Sequence, residues 1–250
     1  MKNNNSVAII IATLNVKDCI EKCLDSCLNQ SYSNIAIVVI DGGSTDGTLD
    51  LIKKYLNKIS YFSTEPDNSI FEAWNKGLKN FNSDWYCFMG ADDYWLSKDS
   101  ISSLMRYSGN AGINLITSKI IPLSHKEPLL NQAVGKSFSA HNLYLGMRTP
   151  HPGMLHHHTL FIKYGYFIED YKIAGDFEFL VRARAGIKSI YAEFPVICMG
   201  QLGLSNTKYS VCRAETSKIL RVHLKFGYYY SLIYSIVFYA ALLKRLIKNF

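Results

Sequence analysis

The sequence predicts an α/β fold: a doubly wound, mostly parallel sheet flanked by helices, with a helical tail. Short apolar, β-branched runs such as VAIIIA and IAIVVI alternate with segments of helical periodicity. The runs are apolar at every position, as expected of parallel strands covered on both faces. Acidic residues and glycines gather just after the runs, at the edge where open α/β sheets bind ligands.

The elements follow in order. Val7–Ala12 reads as the first strand, and Asp18–Asn29 as a helix that places Cys19, Cys23 and Cys27 on one face. Small hydrophobes packing on the sheet is the first reading of that trio, with a metal or redox role as the alternative. Ile35–Ile40 is the second strand, closed by DGGSTDGT and a helical Leu49–Leu56. A weaker strand near Tyr61–Thr64 precedes a helix over Ile70–Lys79, then a strand over Trp85–Met89. Ser100–Tyr107 reads as helix and Ile113–Ile121 as strand; from Leu123 to Thr149 the pattern blurs into an irregular stretch, read as a hairpin over the site. Order resumes at Leu160–Phe167 and at a helical Phe177–Ala185. The expected division is a ligand-binding half at 1–122, a second half of the same domain at 123–215, and a tail at 216–250.

Composition excludes several classes. With 250 residues, 48% hydrophobic and 19% charged, a sizeable core is within reach, and no internal repeat is evident. Six cysteines without a regular framework point to a reducing compartment. The apolar run near the start is too short for a secretory leader, so the expectation is a cytoplasmic protein. The net charge of +7 sits entirely in residues 205–250, which hold eight Lys/Arg and one acid, Glu215. The remainder is neutral and carries no recognisable nucleic-acid module, which argues against a nucleic-acid partner.

Which chemistry fits the crevice? No GxGxxG follows the first strand and no GxxxxGK[ST] occurs anywhere, which removes the dinucleotide fingerprint and the P-loop. Asp41 closes the second strand, where its carboxylate can accept hydrogen bonds from a base or ribose. The rest of DGGSTDGT also reads as a turn with Ser44, Thr45 or Asp46 capping the next helix. In YCFMGADDYW the adjacent Asp92 and Asp93 repel one another, so a positive group is needed beside them. A helix cap is the alternative for that pair. His156, His157 and His158 fit no zinc spacing, since consecutive strand residues face opposite sides.

IIIATLN, VVIDGGSTDGT, EPDNSIFEAWNKGL and FMGADDYW together resemble the inverting family 2 glycosyltransferases of GT-A type fold. HPGMLHHHTLFIKYGYFIEDYKIAGDFEFLVR is similar to the acceptor half of the same family, and the resemblance spans about residues 5–215. It is strongest to members that build capsules, O-antigens and other bacterial surface polysaccharides. The resemblance implies a nucleotide-diphospho-sugar donor, UDP-linked in the simplest case, with Thr13, Asn15 and Asp41 forming the nucleotide pocket. By motif position Asp67, Asn75 and Ala91 line it, and His151 touches the diphosphate or the acceptor. Mn²⁺ or Mg²⁺ held by Asp92, with Asp93 in support, would supply the missing positive charge. Gly90 stands where the family usually has a first carboxylate. Asp176 matches the family's catalytic base, with an N-cap role or a pairing with Arg182 or Arg184 as alternatives. The rivals are a catalytically degenerate nucleotide- or partner-binding subunit and a sugar nucleotidyltransferase; the latter usually carries a glycine- and basic-rich loop that ATLNVKD lacks.

The tail contains FGYYYSLIYSIVFYAALL, 18 residues without a charge, with five tyrosines and basic residues at both ends. Tyrosine favours the headgroup level, and the positive charge favours an anionic inner leaflet. Peripheral membrane contact through 216–250 is therefore expected, which would suit a polyprenyl-diphosphate-linked saccharide as acceptor. Spanning the bilayer, docking on the domain and forming a homo-oligomer are the alternatives.

Overall fold

The computed structural model of the chain describes residues 5–124, 127–200 and 208–248. Val7–Thr13 (β1), Ile20–Leu28 (α1), Ile35–Asp41 (β2), Thr48–Lys53 (α2), Tyr61–Thr64 (β3), Ile70–Asn80 (α3) and Trp85–Gly90 (β4) alternate as the periodicity requires. Tyr94–Trp95 (β5), Ser100–Met105 (α4), Leu115–Ser124 (β6), Glu127–Pro128 (β7), a 3₁₀ turn at Ala140–Leu145 and Leu155–His157 (β8) come next. His158–Tyr164 (α5), Gly175–Ala183 (α6), Ser189–Met199 (β9), Tyr209–His223 (α7) and Gly227–Lys248 (α8) follow.

The strands form one sheet in the order β3-β2-β1-β4-β8-β6-β9-β5, with β7 paired to β6. Pairing is parallel from β3 to β4; β8 then enters antiparallel to both β4 and β6, and β9 returns parallel to β6. Alternation along each strand splits the core in two. Ala8, Ile10, Val38, Ile40, Tyr86 and Phe88 face α3, α5, α6 and α7. Val7, Ile9, Ile11, Ile37, Val39, Trp85, Cys87 and Met89 face α1, α2 and α4. Cys23 and Cys27 belong to this second layer as packing residues, whereas Cys19 is half-buried just before α1.

Three strands depart from the sequence reading. β9 lies between Ser189 and Met199, where no strand was expected, because Glu193 and Pro195 interrupt its apolar pattern. The ladder is irregular here: Ser118 pairs with Ala192, Lys119 with Pro195 and Ile120 with Ile197, so Glu193 is passed over while Pro195 keeps a partner. β5 and β8 are two and three residues long, too short to show a period. The blurred stretch does hold a hairpin, β6–β7, followed by the 3₁₀ turn. A boundary at 216 falls inside α7, which packs on α6, so the tail begins within the domain rather than after it. Among the described residues no helix is long and apolar enough to cross a membrane.

The register brings Thr13 beside Asp41, Asp41 beside Thr64 and Ala12 beside Gly90, so four strands end at one edge. α3 packs on this parallel block through Gly77; a methyl there would sit 2.6 Å from Ile10 Cγ2. Helix propensity alone would favour alanine at position 77, but the overlap falls in the core. Gly77→Ala is expected to lower unfolding free energy by about 1–3 kcal/mol in chemical denaturation.

Candidate active site

At the edge where the parallel strands end, one carboxylate ties three of them together. Asp41 is fully buried. Its Oδ1 accepts the hydroxyls of Thr13 (2.9 Å) and Ser44 (2.6 Å). Its Oδ2 accepts the Thr64 hydroxyl at 2.9 Å and the N–H groups of Gly43 and Ser44 at 3.0 and 2.9 Å. Burial alone would raise its pKa; the hydrogen bonds of Ser44, Thr64 and Thr13 outweigh that and hold it below the ordinary value. The expectation that Asp41 takes the N–H of a base is corrected here. Both oxygens are committed to protein donors, so Asp41 shapes the pocket through the loop it anchors.

Asn15 completes the staple. It adopts a left-handed φ of 51°, and its Oδ1 accepts the Thr45 N–H at 2.9 Å. The Asn15 N–H in turn donates to Ser44 Oγ (2.8 Å), and Val16 N–H to Thr48 Oγ1 (2.9 Å). Asp46 accepts from Thr48 and from the Lys17 N–H, so it, rather than Ser44 or Thr45, caps α2. The exit of β1 and DGGSTDGT thus form one rigid rim, with Asn15 exposed upon it.

Two strand spacings away, about 10 Å along the edge, β4 ends in Gly90. The adjacent acids have opposite fates. Asp93 is buried, and its carboxylate accepts Gly90 N–H at 3.0 Å and Gly200 N–H at 2.9 Å, joining the β4 exit to the end of β9. Burial and the neighbouring Asp92 charge push it up to about 7, against those two hydrogen bonds. Asp93 therefore ties the exit of β4 to the end of β9. Asp92 remains half-exposed, pressed against Gly200 so closely that a methyl at 200 would overlap its carboxylate. Ala91 turns its methyl into the α1/α4 core, so only its backbone reaches the edge.

Asp67 lies over the same rim: a methyl on Gly42 would sit 2.7 Å from its Oδ2. Burial raises its pKa, Lys76 opposes that, and the charges of Glu72 and Asp41 add to it. Asn75 and His151 do not line the pocket. Asn75 is buried and clamps the segment after α5, donating to Phe167 O (2.9 Å) and Glu169 Oε1 (2.8 Å) and accepting Phe167 N–H (3.0 Å). His151 stacks on Trp74 at 5.1 Å and packs beside Phe88 and His156 in the aromatic core. Burial and then His156 hold its pKa well below the ordinary value, which favours the neutral ring.

Asp176 is half-exposed at the start of α6. Its Oδ1 accepts the Phe177 N–H at 2.7 Å, and the alternative pairings with arginine do not form. Arg182 instead binds the fully buried Glu178 at 2.9 Å together with the Tyr164 carbonyl, and Arg184 donates to the Val181 and His223 carbonyls. Burial pushes the Asp176 carboxyl up to about 6; the Phe177 N–H opposes this and the Glu215 charge adds to it. The start of α6 abuts the first turn of α3, where a methyl on Gly175 would meet the Phe71 ring at 2.8 Å. Lys172 Nζ donates to the Asn68 carbonyl and Ser69 Oγ to the Glu169 carbonyl, which fixes Asp176 to the Asp67 side of the edge. Two participants carry no motif: Gly200, and Glu215, whose only sequence signal was being the single acid in a basic tail.

Asp92 is the hard-oxygen donor that a divalent cation would use. Among the described residues no group of three or more His, Cys, Asp or Glu could hold a metal by itself. One carboxylate with the rest of the shell from substrate phosphates suits Mg²⁺ or Mn²⁺, so the residues present fit such an ion. A cleft of ≈ 470 Å³ lined by Ser6, Asp84, Tyr86, His158 and Tyr166 opens elsewhere, at the opposite edge of β1 and β4.

With the fold and this edge described, the class of protein follows from its relatives. Residues 8–161 match Glycosyl transferase family 2, and the chain belongs to that family. Among its relatives is a PGL/p-HBAD biosynthesis glycosyltransferase of Mycobacterium bovis, 28% identical over 207 residues, covering 80% of this chain and 79% of the relative. A second is a dolichyl N-acetylglucosaminyl phosphate diacetamido-dideoxyglucuronosyltransferase of Methanococcus voltae, 39% identical over 97 residues (36% and 30% of the two chains). The fold is similar to that of S. aureus TarS in complex with UDP-GlcNAc, with TM-score 0.71, 18% identity and coverage of 93% and 71%. It is also similar to a mannosyltransferase from Pyrobaculum calidifontis in complex with GDP-Man and Mn²⁺, with TM-score 0.63, 17% identity and coverage of 89% and 64%.

Asp41→Asn removes charge from a fully donated site and turns one acceptor into a donor. A loss of about 1–3 kcal/mol is expected in denaturant unfolding. Because the folded pKa is depressed, the Asp41 contribution is present above its unfolded value near 3.9 and fades as pH falls through the folded one. The variant should therefore show a shallower acid loss of stability than the parent.

Proposed function

We propose that the chain is an inverting glycosyltransferase. It moves a sugar from a nucleotide diphosphate, UDP in the simplest reading, to a saccharide or polyprenyl-diphosphate-linked saccharide in bacterial surface polysaccharide synthesis. The observation that carries the reading is the placement of half-exposed Asp67, Asp92 and Asp176 around the edge where β1, β2 and β4 end, while the buried acids Asp41 and Asp93 brace it. Family membership and the UDP-GlcNAc complex of TarS support it.

In this reading Thr13, Asn15 and Asp41 hold the loop that receives the nucleotide, and Asp67 faces it from the other side. Asp92 would hold Mn²⁺ or Mg²⁺; when bound, the ion supplies Lewis acidity that stabilises charge on the departing diphosphate. Asp176 accepts the proton of the acceptor hydroxyl as that oxygen bonds to the anomeric carbon and the bond from that carbon to the diphosphate breaks. A carboxylate with pKa near 6 is suited to this work, being ionised at neutral pH yet a stronger base than an exposed aspartate.

Transfer or hydrolysis with a panel of UDP-sugars and Mn²⁺ tests the reading. Asp176→Asn is expected to lose about 10²–10⁴-fold in kcat with its fold retained by circular dichroism. In the parent, kcat/KM should fall as pH drops below about 6, because protonation removes the base. Retained activity in Asp176→Asn would remove that residue from its role. UDP binding without turnover on any donor would favour the degenerate-subunit reading.

The tail fits peripheral contact with an anionic inner leaflet. Tyr228, Tyr229, Leu232, Ile236 and Tyr239 are exposed along α8, and Lys218, Arg221 and Lys225 are exposed on and just after α7. Arg221 lies over the Tyr228 ring at 5.8 Å and Arg213 over Tyr239 at 5.2 Å, so cations and rings share one surface. Sedimentation with anionic vesicles should exceed that with neutral ones and weaken with salt, and Lys218→Glu with Arg221→Glu should abolish the difference.

A further inference from the structure

The lone acid of the tail does not lie among its cations. Glu215, on α7, reaches across to the segment preceding α6. Its Oε1 accepts Lys172 N–H at 2.8 Å, and its Oε2 accepts Ile173 N–H at 3.0 Å and Ala174 N–H at 2.9 Å. These are the last amides before the helix that carries Asp176 begins at Gly175. Amides at a helix start have no intrahelical partner, and a carboxylate there is favoured by the helix dipole. No side chain of α6's own cap residue, Ala174, can serve. Glu215, on an element distant in sequence, therefore holds the amides that lead into α6, while Asp176 Oδ1 takes the Phe177 N–H within its first turn.

We propose that Glu215 is a positioning residue for Asp176, so that α7 is part of the catalytic apparatus rather than an appendage. The inference rests on the reading of Asp176 as the base, and its geometry has two effects. Three hydrogen bonds fix the backbone immediately before Asp176, and hence the direction of its carboxylate. A second negative charge nearby disfavours ionisation of Asp176, which keeps it a stronger base. Among the described residues the groups facing Asp176 are few. From α7 they are Glu215 and the Cys212 thiol, which burial and then Asp176 itself push up and keep neutral. From α3 the neighbour is the uncharged Phe71 ring, and the nearest cation on the preceding loop, Lys172, is drawn off to the Asn68 carbonyl.

The test uses the full chain and a readout independent of turnover. In ¹³C-carboxyl NMR titrations of Asp-labelled protein, Asp176→Asn assigns the Asp176 resonance. Glu215→Gln is expected to lower the Asp176 midpoint by about half a unit or more, since a neighbouring negative charge has gone. In the transfer assay the same variant should lose about tenfold or more in kcat with donor KM within twofold, and its acid limb should move to lower pH. Glu215→Asp keeps the charge but falls short of the amides. It should lose kcat while leaving the Asp176 midpoint near that of the parent, and it serves where Glu215→Gln does not fold. An unchanged midpoint and kcat in Glu215→Gln, with only a lower Tm, would overturn the proposal. Loss of activity in Asp176→Asn beside unchanged Glu215 variants would overturn it while leaving the base assignment standing.

Discussion

A carboxylate without exposure to water stays charged only where donors replace its hydration, and the Asp41 cage is built on that constraint. Thr13 comes from β1, Ser44 from the loop after β2, and Thr64 from β3, so satisfying one charge fixes the ends of three strands. The consequences spread outward. Because Ser44 is held, Asn15 can take its left-handed turn; because Thr45 and Thr48 are held, α2 starts where it does. A rim prepared in this way is already in place when a ligand arrives, and binding then loses less conformational freedom.

The acids of the edge sort by environment rather than by motif. Asp41 and Asp93 accept backbone amides and are closed off; Asp92 and Asp176 keep contact with solvent. That sorting resolves the oddity of neighbouring Asp92 and Asp93. Burial and the Asp92 charge raise the Asp93 pKa, and the amides of Gly90 and Gly200 offset part of the repulsion between the two acids. One member of the pair braces the turn, and the other is presented.

Much of this was legible in the sequence, for identifiable reasons. β1, β2 and β4 are apolar throughout because helices cover both faces, and Asp41 and the Asp92–Asp93 pair had to fall at their ends. β9 was hidden because Glu193 and Pro195 fall where the ladder shifts register, and a period-2 reading treats them as interruptions. Asn75 and His151 were given to the pocket by motif position. Asn75 faces Phe167 and His151 faces Trp74, contacts that depend on how α3 packs against segments far later in the chain. The Glu215 contacts were invisible for the same reason: a charge count reports that an acid exists, not which amides it reaches.

The cap on α6 also orders events during synthesis. Lys172, Ile173 and Ala174 leave the ribosome well before Glu215 does, and every strand of the sheet precedes α7 in the chain. Synthesis proceeds at about 5–20 residues per second, so the sheet can assemble while those three amides still face water. The segment leading into Asp176 gains these three acceptors only when α7 docks against it.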